Sequence, residues 1–312
     1  MVMMRRLRCG NPAWIAAISL AAMLLAVLTM PVGNSQILRQ RYPGRTECPD
    51  THLRLTARHQ DGSPAAGLRP QDLYLWLSLG NADIRSMRSE EPSHAGAADT
   101  NVLIVVRPQV AVDAGTVDAA LRNLEASPNF QWKIAVLAPD GSVSPFVAGA
   151  DQAALRAALT HAASSPAAPG IADWAAAERN AFRQLRSRPG RHVIVELARP
   201  ADRSSDQAAS PEAAFSDDHT LDLLARDDMT QIYRLAAGGK EQVEATGGRT
   251  APNIDALFRA IVADAPGSYD LVLHPLFSCE PGTSYSLRIT SFRPEVQLYY
   301  PSTIRMATAA PR

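Results

Sequence analysis

The sequence has 312 residues, of which 46% are hydrophobic, and it carries 31 basic and 31 acidic side chains. A hydrophobic fraction of this size is normal for a globular protein and argues against wholesale disorder. The balanced charge gives no electrostatic reason to expect a nucleic-acid partner, which rewards a basic surface. The length predicts one medium-sized domain with a smaller companion.

The first 35 residues have the pattern of a signal peptide. Three arginines within residues 5–8 precede an uncharged apolar run at 15–32, and Gly33 and Ser35 supply the small residues of a cleavage site. We expect cleavage before Gln36 and export to an extracytoplasmic location, either periplasmic or secreted. The alternative is an uncleaved membrane anchor, because the run is close to the ~18-residue lower limit for crossing a bilayer.

The three cysteines are divided between the signal and the rest of the chain. Cys9 lies within the signal, so a mature chain keeps Cys48 and Cys279. An even pair in an oxidising compartment is typical of a disulfide. The alternative is two separate buried thiols, because spacing alone does not show that two Cβ atoms meet.

Residues 36–100 are predicted to form an N-terminal β segment followed by a linker. Apolar and polar side chains alternate at 52–57 and at 72–79, as in half-buried strands. The Gln-Asp-Gly-Ser-Pro sequence at 60–64 indicates a turn, because Asp and Gly tolerate positive φ and Pro fixes the exit. Residues 90–100 are rich in Pro, Ser, Gly and Ala, which is typical of a linker.

Residues 101–265 alternate apolar strand patterns with helical ones. The run Asn-Val-Leu-Ile-Val-Val at 101–106 suits a parallel strand that is covered on both faces. The alternation predicts an α/β domain with a mostly parallel sheet flanked by helices. The other predicted strands are 132–138, 143–147, 192–198 and 230–235, and the predicted helices are 116–126, 151–163, 172–186, 221–227 and 254–264.

Residues 266–312 return to strand patterns. The segments 268–275, 284–290 and 296–300 alternate, and Pro and Gly turns separate them without a helix between them. We expect these strands to pair with those of residues 36–100. Together they would form a small β-rich companion domain beside the α/β domain.

The sequence contains no recognisable catalytic motif. It has no G-x-S-x-G nucleophile elbow, no H-E-x-x-H zinc motif and no glycine-rich phosphate loop. We therefore predict that the chain is not an enzyme and has no cofactor. One alternative is an enzyme whose site is assembled from dispersed residues around 202–218, and another is a structural subunit of an envelope assembly.

Several short segments, taken in order, resemble one family. Their order is similar to that of the von Willebrand factor type A (VWFA)-related proteins described as an acidobacterial family. The resemblance implies an exported protein with an integrin-I-like, Rossmann-like domain between β elements. The segments that carry it are LTARHQDGSPAAGLRPQDLYLWLSLG, NVLIVV, LRSRPGRHVIVELA, QIYRLA, EATGGRT and SYDLVLHP.

The sequence departs from this family at the metal site. A type A domain holds Mg²⁺ with a D-x-S-x-S loop after the first strand, a Thr and an Asp, because Mg²⁺ demands oxygen ligands. Here Arg107 and Gln109 stand in the first loop, and Ile171 replaces the Thr. Asp202 is displaced, and Arg199 precedes it. Two arginines at this end of the sheet would repel Mg²⁺, so we predict a degenerate metal-ion-dependent adhesion site without a metal.

Arginines at the vacated site also provide a way to bind a partner. A guanidinium recognises a carboxylate through two parallel hydrogen bonds. The predicted partner-binding residues are therefore Arg107, Gln109, Arg199 and Asp202, at the carboxyl edge of the sheet where such folds bind ligands. The alternative is a vestigial site with solvated arginines. The whole sequence predicts an exported, non-enzymatic adhesion or scaffold protein that binds another protein, without indicating which protein or how many subunits.

Overall fold

The computed structural model describes residues 46–91, 99–108, 112–127, 130–166, 170–197, 220–235, 240–280 and 282–306. The predicted signal peptide lies outside the described residues. Among the helices of the described part, none is long and apolar enough to cross a membrane.

The described residues form two large sheets, one very small sheet and six helices. The strands are β1 (Thr46–Glu47), β2 (Thr51–His59), β3 (Leu73–Leu77), β4 (Gly80–Ser89), β5 (Thr100–Val106), β6 (Trp132–Leu137), β7 (Val147–Ala148), β8 (Arg191–Leu197), β9 (Gln231–Leu235), β10 (Arg249–Ala251), β11 (Ser268–Pro275), β12 (Ser278–Cys279), β13 (Ser284–Ser291), β14 (Val296–Tyr299) and β15 (Thr303–Arg305). The helices are α1 (Ala114–Glu125), α2 (Gln152–Ser164), α3 (Ile171–Arg186), α4 (Thr220–Asp228), α5 (Lys240–Ala245) and α6 (Ile254–Asp264).

The first large sheet is mixed and lies between helices. Its six strands have the order β10-β9-β8-β5-β6-β7, and β7 is antiparallel to its neighbour β6. Every residue of β5 and β8 is buried, which explains their apolar sequences. Apolar side chains of α1, α2 and α6 pack on one face, while α3, α4 and α5 pack on the other.

The second large sheet is antiparallel, curled, and larger than the first. Its seven strands have the order β14-β2-β11-β4-β3-β13-β15. Strands from both ends of the described chain pair directly, since β2 pairs with β11 and β14, and β3 pairs with β13. Alternate residues of β3 are buried, so the sheet has its own apolar core on one face.

The predicted fold class is therefore wrong. A mostly parallel, Rossmann-like sheet with a small β companion was expected, but the antiparallel sheet has seven strands and the helix-flanked sheet is mixed. One reason is β4, which the sequence did not predict. Its sequence Gly-Asn-Ala-Asp-Ile-Arg-Ser-Met-Arg-Ser shows little apolar alternation, because only Ala82 among its ten residues is buried.

A buried carboxylate joins the two large sheets. Asp264, at the end of α6, accepts hydrogen bonds from Arg58 of β2 at 2.7 and 3.0 Å. Arg249 of β10 donates to the same carboxylate at 2.7 and 3.0 Å, and the Tyr233 hydroxyl donates at 2.9 Å. Asp264 is only 1% exposed, so these donors compensate the cost of burying its charge. The junction between the sheets is thus polar and specific.

The predicted disulfide between Cys48 and Cys279 is confirmed. The two Cα atoms are 5.2 Å apart and the bond spans 231 residues of sequence. Both cysteines are buried, and Cys279 belongs to β12, which pairs with β1 in the small two-stranded sheet. The bond therefore fastens the beginning of the described chain to its C-terminal strands.

Candidate functional site

The carboxyl edge of the mixed sheet carries a buried ion-pair cluster. Arg107 follows the last residue of β5, while Glu196 and Arg234 are register partners near the ends of β8 and β9. The Glu196 carboxylate accepts one hydrogen bond from Arg107 at 2.9 Å and one from Arg234 at 2.5 Å. Parallel strands end at the same edge, which is why these three side chains meet.

Two helices on one face of the sheet complete the cluster. Asp222 of α4 accepts a hydrogen bond from Arg234 at 2.8 Å. Glu178 of α3 lies 3.6 Å from Arg107, measured between Oε1 and Nη1. We name these five residues (Arg107, Glu178, Glu196, Asp222 and Arg234) the arginine clamp. All five are buried, with at most 9% of any one exposed.

The electrostatics of the arginine clamp keep its members charged. Burial alone would raise the pKa of Glu196, but the guanidinium groups of Arg107 and Arg234 outweigh it and lower that pKa below the usual value. Burial opposes the charge on Arg107 in the same way, and the nearby Glu196 and Glu178 carboxylates raise its pKa. The clamp is therefore a set of ion pairs at neutral pH, in which guanidinium groups supply the positive charge.

Of the four predicted partner-binding residues, the structure describes only Arg107. Arg107 is 7% exposed, and the carboxylate that it binds is Glu196 of the same chain. Gln109, Arg199 and Asp202 lie outside the described residues, so their predicted role as partner-binding residues stays a prediction. Ile171 is the first residue of α3.

Sequence analysis missed the other four members of the arginine clamp. The available signal was a charged residue inside an apolar strand, since Glu196 interrupts the run Arg-His-Val-Ile-Val-Glu-Leu. Glutamate is almost never fully buried unless it is paired. Such a residue predicts a buried cation nearby, although the sequence does not say which one. Among the described residues, no three His, Cys, Asp or Glu side chains are grouped as metal ligands.

A second polar cluster lies at the opposite edge of the mixed sheet. Asp228, at the end of α4, binds Arg54 of β2 at 3.0 Å. His192 of β8 places Nδ1 3.8 Å from the same carboxylate and Nε2 2.8 Å from the carbonyl oxygen of Arg188. Burial lowers the pKa of His192 below 6.5, although Asp228 acts in the opposite direction. The cluster is thus a second polar link between the two sheets.

We expect this histidine to make the fold less stable in mild acid. Because the pKa of folded His192 lies below 6.5, the unfolded chain takes up a proton first as the pH falls. Stability should therefore decrease from about pH 6.5 down to the folded pKa, by at most about 1.4 kcal/mol per pH unit. Chemical denaturation at several pH values measures this slope. His192→Gln should flatten it, whereas His52→Gln, at a side chain that is 74% exposed, should not.

An open groove on the antiparallel sheet is the other candidate surface. It has a volume of about 530 Å³ and lies between β3 and β4. Tyr74 is 47% exposed at its rim, and Leu276 is 54% exposed beside it. Large apolar side chains gathered on a surface mark sites of protein interaction more often than isolated ones do.

No family model matches the sequence, and no curated protein matches it. Solved structures with some likeness include a variant of the PilB minor pilin from Streptococcus sanguinis, at 12% identity and a TM-score of 0.34, with 56% of this chain and 62% of the pilin covered. The SpRpn10 VWA domain has 10% identity and a TM-score of 0.31, with 55% and 97% covered. The pilus adhesin SpaC from Lactobacillus rhamnosus GG has 10% identity and a TM-score of 0.35, with 72% and 36% covered. With TM-scores this low, these likenesses establish neither the fold nor the function of the chain.

Proposed function

We propose that this chain is an exported, non-enzymatic binding or scaffold protein that recognises another protein without a bound metal. In this proposal the helix-flanked sheet is a VWFA-related unit whose metal-ion-dependent adhesion site has degenerated. The arginine clamp is the observation that carries it. At the carboxyl edge of the sheet, the positive charge belongs to two guanidinium groups of the chain itself.

The geometry of the clamp supports a metal-free edge. Arg107 and Arg234 bind the two oxygens of Glu196, so a divalent cation would have to displace both guanidinium groups to reach that carboxylate. The clamp holds two guanidinium groups against three carboxylates, so Mg²⁺ would have to compete with guanidinium groups that already pair with those carboxylates. In this proposal Arg107 stabilises the carboxyl edge of the sheet. Gln109, Arg199 and Asp202 are the residues that bind the partner protein.

Two further features support binding outside the cytoplasm. The Cys48–Cys279 disulfide is the kind of bond that persists in an oxidising compartment. The exposed Tyr74 and Leu276 beside the open groove provide apolar contact area for another protein. Neither feature requires a catalytic group.

We expect partner binding to be insensitive to metal chelation. The purified chain is immobilised and exposed to native envelope extract. It should capture the same crosslinked partner in excess EDTA and in excess Mg²⁺, because guanidinium groups of the chain already supply the positive charge at the carboxyl edge. Isothermal titration with MgCl₂ should give no binding heat. Loss of the partner in EDTA, recovered by adding Mg²⁺, would show that the metal-free proposal is wrong.

A further inference from the structure

The two strands β3 and β4 form a hairpin that opens soon after its turn. They pair only at Leu77 with Gly80 and at Trp76 with Asn81. Beyond these two positions β3 continues beside β13, and β4 continues beside β11. The open groove is the space between the diverging strands, so its two walls are strand edges.

The hydrogen-bonding pattern shows which backbone groups of β3 face this space. The Ser78 N–H donates to the carbonyl oxygen of Ser286 in β13 at 3.0 Å. Since successive residues of a strand direct their backbone groups to opposite sides, the even-numbered residues of β3 bond to β13. Leu75 therefore directs its N–H and C=O into the groove.

The same reasoning applies to the other wall. The Leu276 N–H donates to the carbonyl oxygen of Asn81 at 3.0 Å, so Asn81 faces the side of β11. Ala82 is the next residue and faces the groove, as does Ile84. Both line the groove together with Leu75. Donors and acceptors of two strands thus face each other across a space about 530 Å³ in volume.

The shape of the groove limits what can occupy it. A strand edge presents a template for pairing with another extended chain, and natural proteins usually cover such edges. Because this groove has a strand on each side, its occupant needs two free edges of its own. In the part of the chain that the structure describes, every outer strand of a sheet is already paired on one side, so a second copy would offer one free edge at a time. An extended peptide segment has both edges free.

We propose that an extended segment of the partner protein inserts between β3 and β4 and adds a strand to the antiparallel sheet. This rests on the proposed function, in which the chain binds another protein, and it names the binding mode. Main-chain hydrogen bonds would supply affinity, and alternate side chains would supply specificity. Outward side chains of the segment would meet Tyr74 of β3 and the charged pair Asp83 and Arg85 of β4. Inward side chains would meet the apolar lining.

The probe for this proposal is a phage-displayed library of random linear peptides, each about ten residues long, comparable to the segments that bind by strand addition. Selection on the intact chain should enrich peptides with alternating apolar residues. Methylation of alternate backbone nitrogens in a selected peptide should weaken its binding at least about tenfold, because it removes the donors of one edge. Hydrogen exchange at the Leu75 and Ile84 amides should slow when the unmodified peptide binds.

Two variants and a matched control locate the binding site. Tyr74→Ala and Ile84→Pro should each weaken the peptide at least about tenfold, the first by removing ring contact and the second by removing a groove-facing N–H. Phe292→Ala is the control, because Phe292 is 67% exposed and lies outside the groove. It should bind the peptide as the unmodified chain does. Circular dichroism melting of each variant checks that the fold is retained.

Three results would overturn strand insertion. One is equal binding by Tyr74→Ala, Ile84→Pro and the unmodified chain, and another is equal binding of the methylated peptide. The third is a dimer in sedimentation that Tyr74→Ala dissociates, which would assign the groove to a second copy of the chain. In each case, a native partner that is still captured in EDTA would leave the metal-free binding function standing.

Discussion

Replacing Glu196 by glutamine is expected to lower the free energy of unfolding by about 3–5 kcal/mol, because removing one charged partner from a buried ion pair is strongly destabilising. The Glu196 carboxylate holds both Arg107 and Arg234, so both guanidinium groups lose a charged partner, while Glu178 and Asp222 remain beside them. The glutamine amide keeps the size of the side chain and one acceptor oxygen. It removes the negative charge that makes the pairing favourable, so the change reports on electrostatics more than on packing.

A surface ion pair provides the matched control for this variant. Arg156 and Asp118 are 2.7 Å apart, but their side chains are 57% and 45% exposed. Asp118→Asn should cost less than about 1 kcal/mol, as exposed ion pairs usually do. Urea denaturation of the two variants gives the comparison. A Glu196→Gln variant as stable as Asp118→Asn would mean that the arginine clamp does not hold the carboxyl edge together.

The helix-flanked sheet is the part of the fold that its sequence describes best. The strands β5 and β8 are buried on both faces, and each contains an unbroken apolar segment, Val102–Val106 and Val193–Val195, that stands out from its surroundings. Helices such as α6 follow the same logic, because Ile254, Leu257, Phe258 and Ile261 are buried at helical spacing. Local patterns of this kind need no knowledge of the rest of the chain.

The antiparallel sheet was underestimated for a physical reason. The strand β4 buries one face only weakly, and beyond its turn one of its edges borders the open groove instead of a neighbouring strand. A strand that buries so few side chains shows little alternation of apolar and polar residues. The low burial of β4, together with a register shift where it pairs with β11, therefore hid it from sequence analysis.

The arginine clamp could not be assembled from the sequence because its contacts are distant along the chain. Arg107 and Glu196 are separated by 89 positions, and Glu196 and Arg234 by 38. Charges of this kind are indistinguishable from solvated ones until the strand order is known. Gln109, Arg199 and Asp202 lie outside the described residues, so the sequence is the sole basis for their proposed role.

Removal of the disulfide, by replacing both Cys48 and Cys279 with serine, is expected to cost about 2–5 kcal/mol of unfolding free energy. The bond joins residues that are 231 positions apart. In the chain-entropy account, a crosslink that closes so long a loop removes much of the conformational entropy of the unfolded chain. Both cysteines are also buried, so the serine hydroxyls would need hydrogen-bond partners in an apolar core. Denaturation of the oxidised protein, the reduced protein and the double variant separates these two effects.

The same bond provides a test of export that does not depend on the partner. If the chain reaches an oxidising compartment, alkylation followed by mass spectrometry of protein taken from that compartment should find Cys48 and Cys279 protected from the reagent. Protein made in a reducing cytoplasm should be alkylated at both positions after unfolding, and should melt at a lower temperature. Chain recovered from its native location with both thiols free would argue that it functions in a reducing compartment. The disulfide then would not contribute to its stability there.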